Sequence, residues 1–199
     1  MKMLSMGHYT LETWRLALSI GLVFQKLLWE VLKRKQVQAG TLRPSESIER
    51  WLVKLSRGML MLFVLIQTLF LDLLPIATEA APLRIVGTTI YAFGLGMSII
   101  ARLQLGKNWA GLEEYQILPG QMHVKTGLYR FVRHPIYAGD TLILLGLQLA
   151  LNSWLVVGVC IVIFFVVKHT AKEEEMLSRA FPDYEAYRRE TKKFIPFIV

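Results

Sequence analysis

Two short stretches of the chain bring together side chains able to do chemistry. One is Gly127-Leu128-Tyr129-Arg130-Phe131-Val132-Arg133-His134-Pro135-Ile136-Tyr137, and the other is Lys172-Glu173-Glu174-Glu175. Arg133 and His134 offer hydrogen-bond donors. Pro135 disfavours helical backbone at His134 and suits the first turn of a helix beginning there. A helix entrance presents free backbone N–H groups and a positive dipole end, which favour a ligand carrying carboxylate, phosphate or hydroxyl groups. Taken alone, the first stretch also reads as an interfacial anchor of Arg and Tyr, and the second as a solvated charge run.

The elements that must position these residues are apolar. The chain has 199 residues, 54% of them hydrophobic, with a mean hydropathy of +0.42, and its apolar residues come in blocks. That pattern predicts an all-α integral membrane protein of about five transmembrane helices in a single membrane domain, 1–199. Residues 1–101 supply three spans and a basic loop, and residues 102–199 the cofactor-binding region. The expected first span is Trp14 to Leu32, although Arg15, Gln25, Lys26 and Glu30 interrupt it. A polar cytoplasmic loop follows at 33–57. Gly58 to Ala77 is the clearest span, and Ile85 to Ala101 is a third, with Gly87, Gly94, Gly96 and Ser98 offering small surfaces for close packing. Turn residues in 102–133 predict a structured loop. Residues 136–167 are too long for one span and are broken at Asn152-Ser153, which predicts a tight helical hairpin. The tail from Lys168 reads as an amphipathic helix near the membrane surface, broken at Pro182. No small-residue cleavage site follows the first apolar run, so no removable signal peptide is expected.

Stretches 33–57, 102–133 and 168–199 hold seven, five and seven of the 23 Lys and Arg residues. The positive-inside rule places all three in the cytoplasm, with the N-terminus outside. Topology accounts for the net charge of +8, and without a basic stripe interleaved with aromatics no nucleic-acid partner is expected. Cys160 reads as a small core residue, and four scattered His residues show no metal-ligand spacing, so no metal is expected. Asp72 and Asp140 lie in apolar segments and point to bundle-facing contacts or a polar cavity. Asp140 shares a helical face with Tyr137.

A hairpin makes its two ends neighbours, so residues 133–137 and 168–175 should meet at the cytoplasmic face. Opposed basic and acidic groups suit a zwitterion, with Arg133 or His134 taking its carboxylate and the glutamates its ammonium or ribose hydroxyls. S-adenosyl-L-methionine is such a ligand, and Tyr129, Tyr137 and Trp109 offer aromatic faces for its sulfonium. Trp109 reads more readily as an interface anchor.

The order His123-Val124, Gly127-x-Tyr129, Arg133-His134-Pro135-x-Tyr137, hairpin, Glu173-Glu174, then Phe181, Tyr184, Tyr187 and Phe194-Ile195-Pro196 closely resembles the isoprenylcysteine carboxyl methyltransferase and phospholipid methyltransferase superfamily. The resemblance covers roughly residues 100–199 and is closest to its compact prokaryotic members. It implies a membrane-embedded methyltransferase without a Rossmann domain, using S-adenosyl-L-methionine. The implied cofactor contacts are Gln121, Met122, His123, Val124, Tyr129, His134, Pro135, Ile136, Tyr137 and Glu174. Gln121-Met122-His123-Val124 departs from the family's His-x-Leu-Val pattern. A family arginine that precedes the acidic run and binds the substrate carboxylate has no direct counterpart, which leaves Lys168 or His169 in its place.

The expected catalytic set is Arg133, Tyr137 and Glu173, and the expected acceptor contacts are Lys168, His169, Trp109 and Asp140. The partner is a lipophilic molecule or lipid entering from the bilayer. A carboxylate acceptor is already nucleophilic, whereas an amine must lose a proton, to Glu173, Glu113 or Glu114. Two other classes stay open: a sterol-reductase-type enzyme using reduced nicotinamide, and a non-catalytic membrane protein.

Overall fold

The computed structural model describes residues 2–40, 48–109, 118 and 120–195, with the backbone alone for 2–12, 49 and 50. Among these residues the architecture is all-α. The helices are α1 (Lys2–Gln38), α2 (Ile48–Phe70), α3 (Ala81–Leu105), α4 (Pro135–Ala150), α5 (Gly158–Ala180) and α6 (Tyr184–Glu190), with 3-10 turns at Gly106–Asn108, Gly127–Arg130 and Trp154–Val157. By length and composition three helical stretches among the described residues are apolar enough to cross a membrane: Trp51–Phe70, Ala81–Asn108 and Trp154–Ala180. Helix α4 is apolar but shorter, and α1 is interrupted by Arg15, Lys26 and Glu30.

The closest packing is between α3 and α4. A Cβ added to Gly87 would lie 2.2 Å from Ala150 N, one on Gly94 2.8 Å from Gly139 O, and one on Gly146 2.3 Å from Tyr91 N. Glycine at these positions lets two backbones touch, which gives helices in lipid their dispersion energy. Gly96, by contrast, faces open space. Beside this seam a core of Leu18, Leu22, Val64, Tyr91, Ile143 and Leu147 joins α1 and α2 to the pair. Its polar groups are satisfied internally: Tyr91 Oη donates to Leu18 O at 2.7 Å, and Gln67 and Gln148 exchange amide hydrogen bonds at 2.9 and 3.0 Å.

The hairpin forms where the sequence places it. Asn152 takes a left-handed conformation (φ 54°), and its side chain binds both the N–H and the carbonyl of Ala77, while Ser153 Oγ accepts from Leu155 N. Other boundaries differ from expectation. Helix α2 begins at Ile48 and ends at Phe70, so 33–38 and 48–57, expected in a loop, are helical. Lys54 and Arg57 there fall within α2 and decorate a face rather than break the helix. Residues 71–80 are non-helical, and Asp72 is exposed and paired with Arg15 instead of facing the bundle. Helix α5 runs on to Ala180, absorbing the start of the expected surface helix, because nothing before Pro182 interrupts its good helix formers. Cys160 is exposed on the outer face of α5 among Ile161, Phe164 and Phe165, not in the core.

Candidate functional site

Pro135 opens α4, and His134 just before it takes φ −124°, ψ 57°, the non-helical backbone that a following proline requires. The segment is fixed from the other side by the C-terminal strap. Arg133 N donates to Lys192 O (2.8 Å), His134 N to Lys193 O (3.1 Å), and Lys192 N to Phe131 O (3.1 Å), forming an isolated parallel bridge at Val132 and Lys192. The hairpin then carries α5 back so that its acidic run meets this segment.

Glu174 is the centre of the meeting point. Its Oε1 accepts from Arg133 Nε at 2.8 Å and lies 3.0 Å from His134 Nε2, while Lys193 Nζ stands 3.8 Å from Oε2. The carboxylate is only 8% exposed, and the Arg133 guanidinium also donates to the carbonyls of Arg188 and Thr191. Glu173, the next residue round α5, accepts from Tyr137 Oη at 2.9 Å and lies 3.9 Å from His134 Nδ1. The two adjacent glutamates therefore have different surroundings: Glu174 is enclosed by cations, whereas Glu173 reaches a cavity.

That cavity, about 530 Å³, is walled by α1, α2, α4, α5 and the loop before α4. Gln121, Met122, His123, Val124, Tyr129, Arg133, His134, Ile136, Tyr137 and Glu173 all contribute to its wall, as do Trp109, Asp140 and His169. Three expected residues do not. Pro135 is buried behind the wall, Glu174 lies behind Arg133 and His134, and Lys168 is exposed on the outside of α5, its ammonium over the Phe164 ring at 4.4 Å. Of Lys168 and His169, one helical step apart, only His169 turns inward. Glu113, Glu114 and Pro196 fall outside the described residues.

The loop residues divide by role. Gln121 spends both ends of its amide on the loop itself, accepting from Leu118 N (2.8 Å) and donating to Asn108 O (3.2 Å). His123 sits in an aromatic nest, edge-on to Tyr187 at 4.2 Å and 5.0 Å from Tyr184, and both its buried ring nitrogens have no hydrogen-bond partner among the described residues. Burial and nearby Lys125 lower its pKa, so the ring is neutral at pH 7, with one N–H and one lone pair to offer. Burial likewise pushes the Tyr187 phenol up to about 12 and raises those of Tyr129 and Tyr184, which keeps all three as donors. Trp109 stacks beneath the buried Arg102 guanidinium at 4.3 Å, and Arg102 in turn binds Gln36 of α1 at 3.0 Å.

Sequence reasoning missed two parts of the wall. Met176, Leu177, Phe181 and Tyr184, expected on a membrane surface, line the cavity instead. So do Gln25, Trp29 and Lys33 of α1 and Lys54, Arg57 and Met61 of α2. The signal available for α1 was its polar interruption at Gln25, Lys26 and Glu30. The cavity thus joins a polar end, around His123, His134 and Glu173, to an apolar end of Leu22, Val64, Ile143 and Leu144. A neutral imidazole with neither nitrogen paired among the described residues, together with a phenol and a carboxylate beside cations, matches the mixed charges of a zwitterion with a heteroaromatic ring. Among the described residues no three His, Cys, Asp or Glu side chains group to hold a metal ion.

The nickel-cobalt-cadmium resistance protein NccN of Alcaligenes xylosoxydans xylosoxydans is 27% identical over 111 residues, covering 54% of this chain and 49% of the relative. The cobalt-zinc-cadmium resistance protein CzcN of Cupriavidus metallidurans is 31% identical over 108 residues, 51% of this chain and 48% of its own. The protein-S-isoprenylcysteine O-methyltransferase of Schizosaccharomyces pombe is 29% identical over 101 residues, 49% and 43% respectively. The matches span about half the length of these relatives. The fold resembles the solved structure of the eukaryotic intramembrane Ras methyltransferase ICMT, with a TM-score of 0.54 and 22% identity over 77% of this chain and 55% of that one. The phospholipid methyltransferase family profile matches residues 83–184, just over half of the chain, from α3 through the hairpin and both glutamates to Tyr184. The chain belongs to that family.

Proposed function

We propose that the chain is an S-adenosyl-L-methionine-dependent methyltransferase acting on a lipophilic acceptor, such as an isoprenylcysteine-like carboxylate or a lipid amine, that enters from the bilayer. The observation that carries this reading is the single cavity in which a polar end, built from the family's motif residues, is continuous with an apolar end between α1, α2 and α4. A soluble zwitterion and an apolar tail can therefore meet in it.

His123, Tyr129, His134, Tyr137 and Glu173 would hold the cofactor. When bound, it would supply an electrophilic methyl group to the acceptor's lone pair. The chain's own part is positioning. Arg133 and Glu174 fix the His134 ring, and Tyr137 orients the Glu173 carboxylate. For a carboxylate acceptor no proton moves, and for an ammonium acceptor Glu173 takes the proton before attack.

The test is calorimetric titration of detergent-purified protein with S-adenosylhomocysteine, the expected product, and in parallel with reduced nicotinamide cofactor. Micromolar binding of the homocysteine compound is expected, weakened by more than about tenfold in His134→Ala. Binding of the nicotinamide alone moves the chain to the reductases. Binding of neither favours a structural role. A finer probe is His123→Phe, which keeps the ring edge-on to Tyr187 but removes both nitrogens. It should weaken product binding by about tenfold, the size of one lost hydrogen bond of ~1.4 kcal/mol, and an unchanged affinity removes His123 from the contact set.

The reading extends to topology. Helices α1 to α5 each cross the membrane, the N-terminus lies outside, and the cavity's polar end faces the cytoplasm, as the Lys and Arg distribution favours. A reporter fused after Val199 that works only on the outer side overturns this orientation.

A further inference from the structure

Asp140, expected from the sequence among the acceptor contacts, is a carboxylate on α4 within the apolar part of the wall, and the transfer chemistry above gives it no task. Three helices converge on it. Ser98 of α3 donates to its Oδ1 at 2.5 Å and Gln25 of α1 donates to the same oxygen at 2.8 Å. Gln25 also reaches Ser98 Oγ at 3.2 Å, so the three side chains form a closed triangle. Both donors are neutral and both fall on one oxygen. Oδ2 has no partner among the described residues, and Asp140 lines the cavity alongside Ile143, Leu144 and Leu22.

An acid at membrane depth is costly and is retained where it meets a partner. One oxygen pinned by two neutral donors orients the group without neutralising it. The chemistry that completes Oδ2 is an N–H or O–H donor, and an ammonium completes it best because the bond is then charge-assisted. The cavity's cations do not fill that role. Lys33, Lys54 and Arg57 lie on the sequence side of α1 and α2 that leads away from Leu22 and Val64, and Arg57 acts on His169 at the polar end. Lys26 follows Gln25 directly but is exposed.

We propose that Asp140, held by Ser98 and Gln25, is the specificity-determining residue for the acceptor, receiving a hydrogen-bond-donating head, an amine above all, and disfavouring a carboxylate. This rests on the methyltransferase reading, since it names what that cavity methylates. A carboxylate head placed against Asp140 sets like charges together in a medium of low dielectric, which is repulsive, while an apolar head leaves Oδ2 unpaired.

The test uses protein reconstituted in lipid nanodiscs and three probes with one shared tail: dodecylamine, dodecanol and dodecanoate. Trp29 and Trp109 line the cavity, so their fluorescence reports occupancy. Each affinity is read as the ratio between wild type and Asp140→Asn, which cancels partitioning into lipid. Dodecylamine should weaken by about tenfold in Asp140→Asn, dodecanoate should hold or tighten, and Asp140→Glu should keep the amine preference. S-adenosylhomocysteine binding should be unchanged in both variants. An amine affinity unmoved by Asp140→Asn overturns the proposal. So does a wild-type preference for dodecanoate over dodecylamine beyond that of empty nanodiscs, a result that needs no variant to fold. Failure of the wild type to bind S-adenosylhomocysteine overturns the methyl-transfer reading instead, and the amine ratio is still measured independently of it.

Discussion

Glu174→Ala is expected to weaken S-adenosylhomocysteine binding by at least about a hundredfold, or ~2.8 kcal/mol, although Glu174 does not line the cavity. The reason is that Arg133 and His134 are fixed by a single carboxylate oxygen. Removing it leaves a 10% exposed guanidinium without its counter-ion, with Lys193 and Arg188 within 4.0 Å of the vacated position. Breaking a buried pair from one side costs about 3–5 kcal/mol, because the remaining charge stays desolvated. The His134 ring then loses its Nε2 contact to α5 and is free to turn out of the wall. Glu174→Gln should fall between wild type and Ala, since its amide oxygen still accepts from Arg133 but carries no charge. Calorimetry gives the affinity, and thermal unfolding of the same samples separates lost folding from lost binding. Wild-type affinity in Glu174→Gln and Glu174→Ala alike would remove Glu174 as the organiser of the site.

This division of labour between neighbouring glutamates was only half legible in the sequence. The hairpin could be read because Asn152-Ser153 interrupts a run too long for one span, and the hairpin alone forces 133–137 against 168–175. Which of Glu173 and Glu174 faces the cavity depends on the rotation of α5, which an undivided acidic run does not reveal. The same ambiguity hid Lys168 from His169. Spans and connections were mistaken wherever charge stood in for backbone conformation. Lys54 and Arg57 read as loop residues, yet they extend α2 and enter the wall, and Lys172 to Glu175 continue α5. Deeper contacts were beyond pattern reasoning altogether: Gln25 and Asp140 are 115 residues apart, and only the packing of α1 on α3 and α4 makes them partners. The glycines of α3 were noted as small surfaces, but spacing could not tell Gly87 and Gly94, which touch α4, from Gly96, which does not.

That last distinction yields the second large effect. Gly146→Leu should abolish recovery of folded, monodisperse protein, and Gly146→Ala should lower stability by about 1–3 kcal/mol, the range for overpacking a close contact. A Cβ at Gly146 would stand 2.3 Å from Tyr91 N, 2.6 Å from Gly87 O and 2.7 Å from Tyr91 Cα, all backbone or Cα atoms with no rotamer to move aside. The only relief is separation of α3 from α4 along a seam whose glycine contacts recur at Gly87, Gly94 and Gly139. Separation also reaches the site, because Tyr137 and Asp140 ride on α4 while Ser98 and the backbone that accepts from Tyr129 ride on α3. Product affinity in Gly146→Ala should therefore fall together with thermal stability. Gly96→Ala on the same helix is the control: with open space around it, replacing a helical glycine should be neutral or stabilising by up to ~1 kcal/mol. Equal losses at Gly96 and Gly146 would mean that α3 tolerates no side chain for reasons of helix geometry, and the glycine seam would not be what holds α4, and the site it carries, in place.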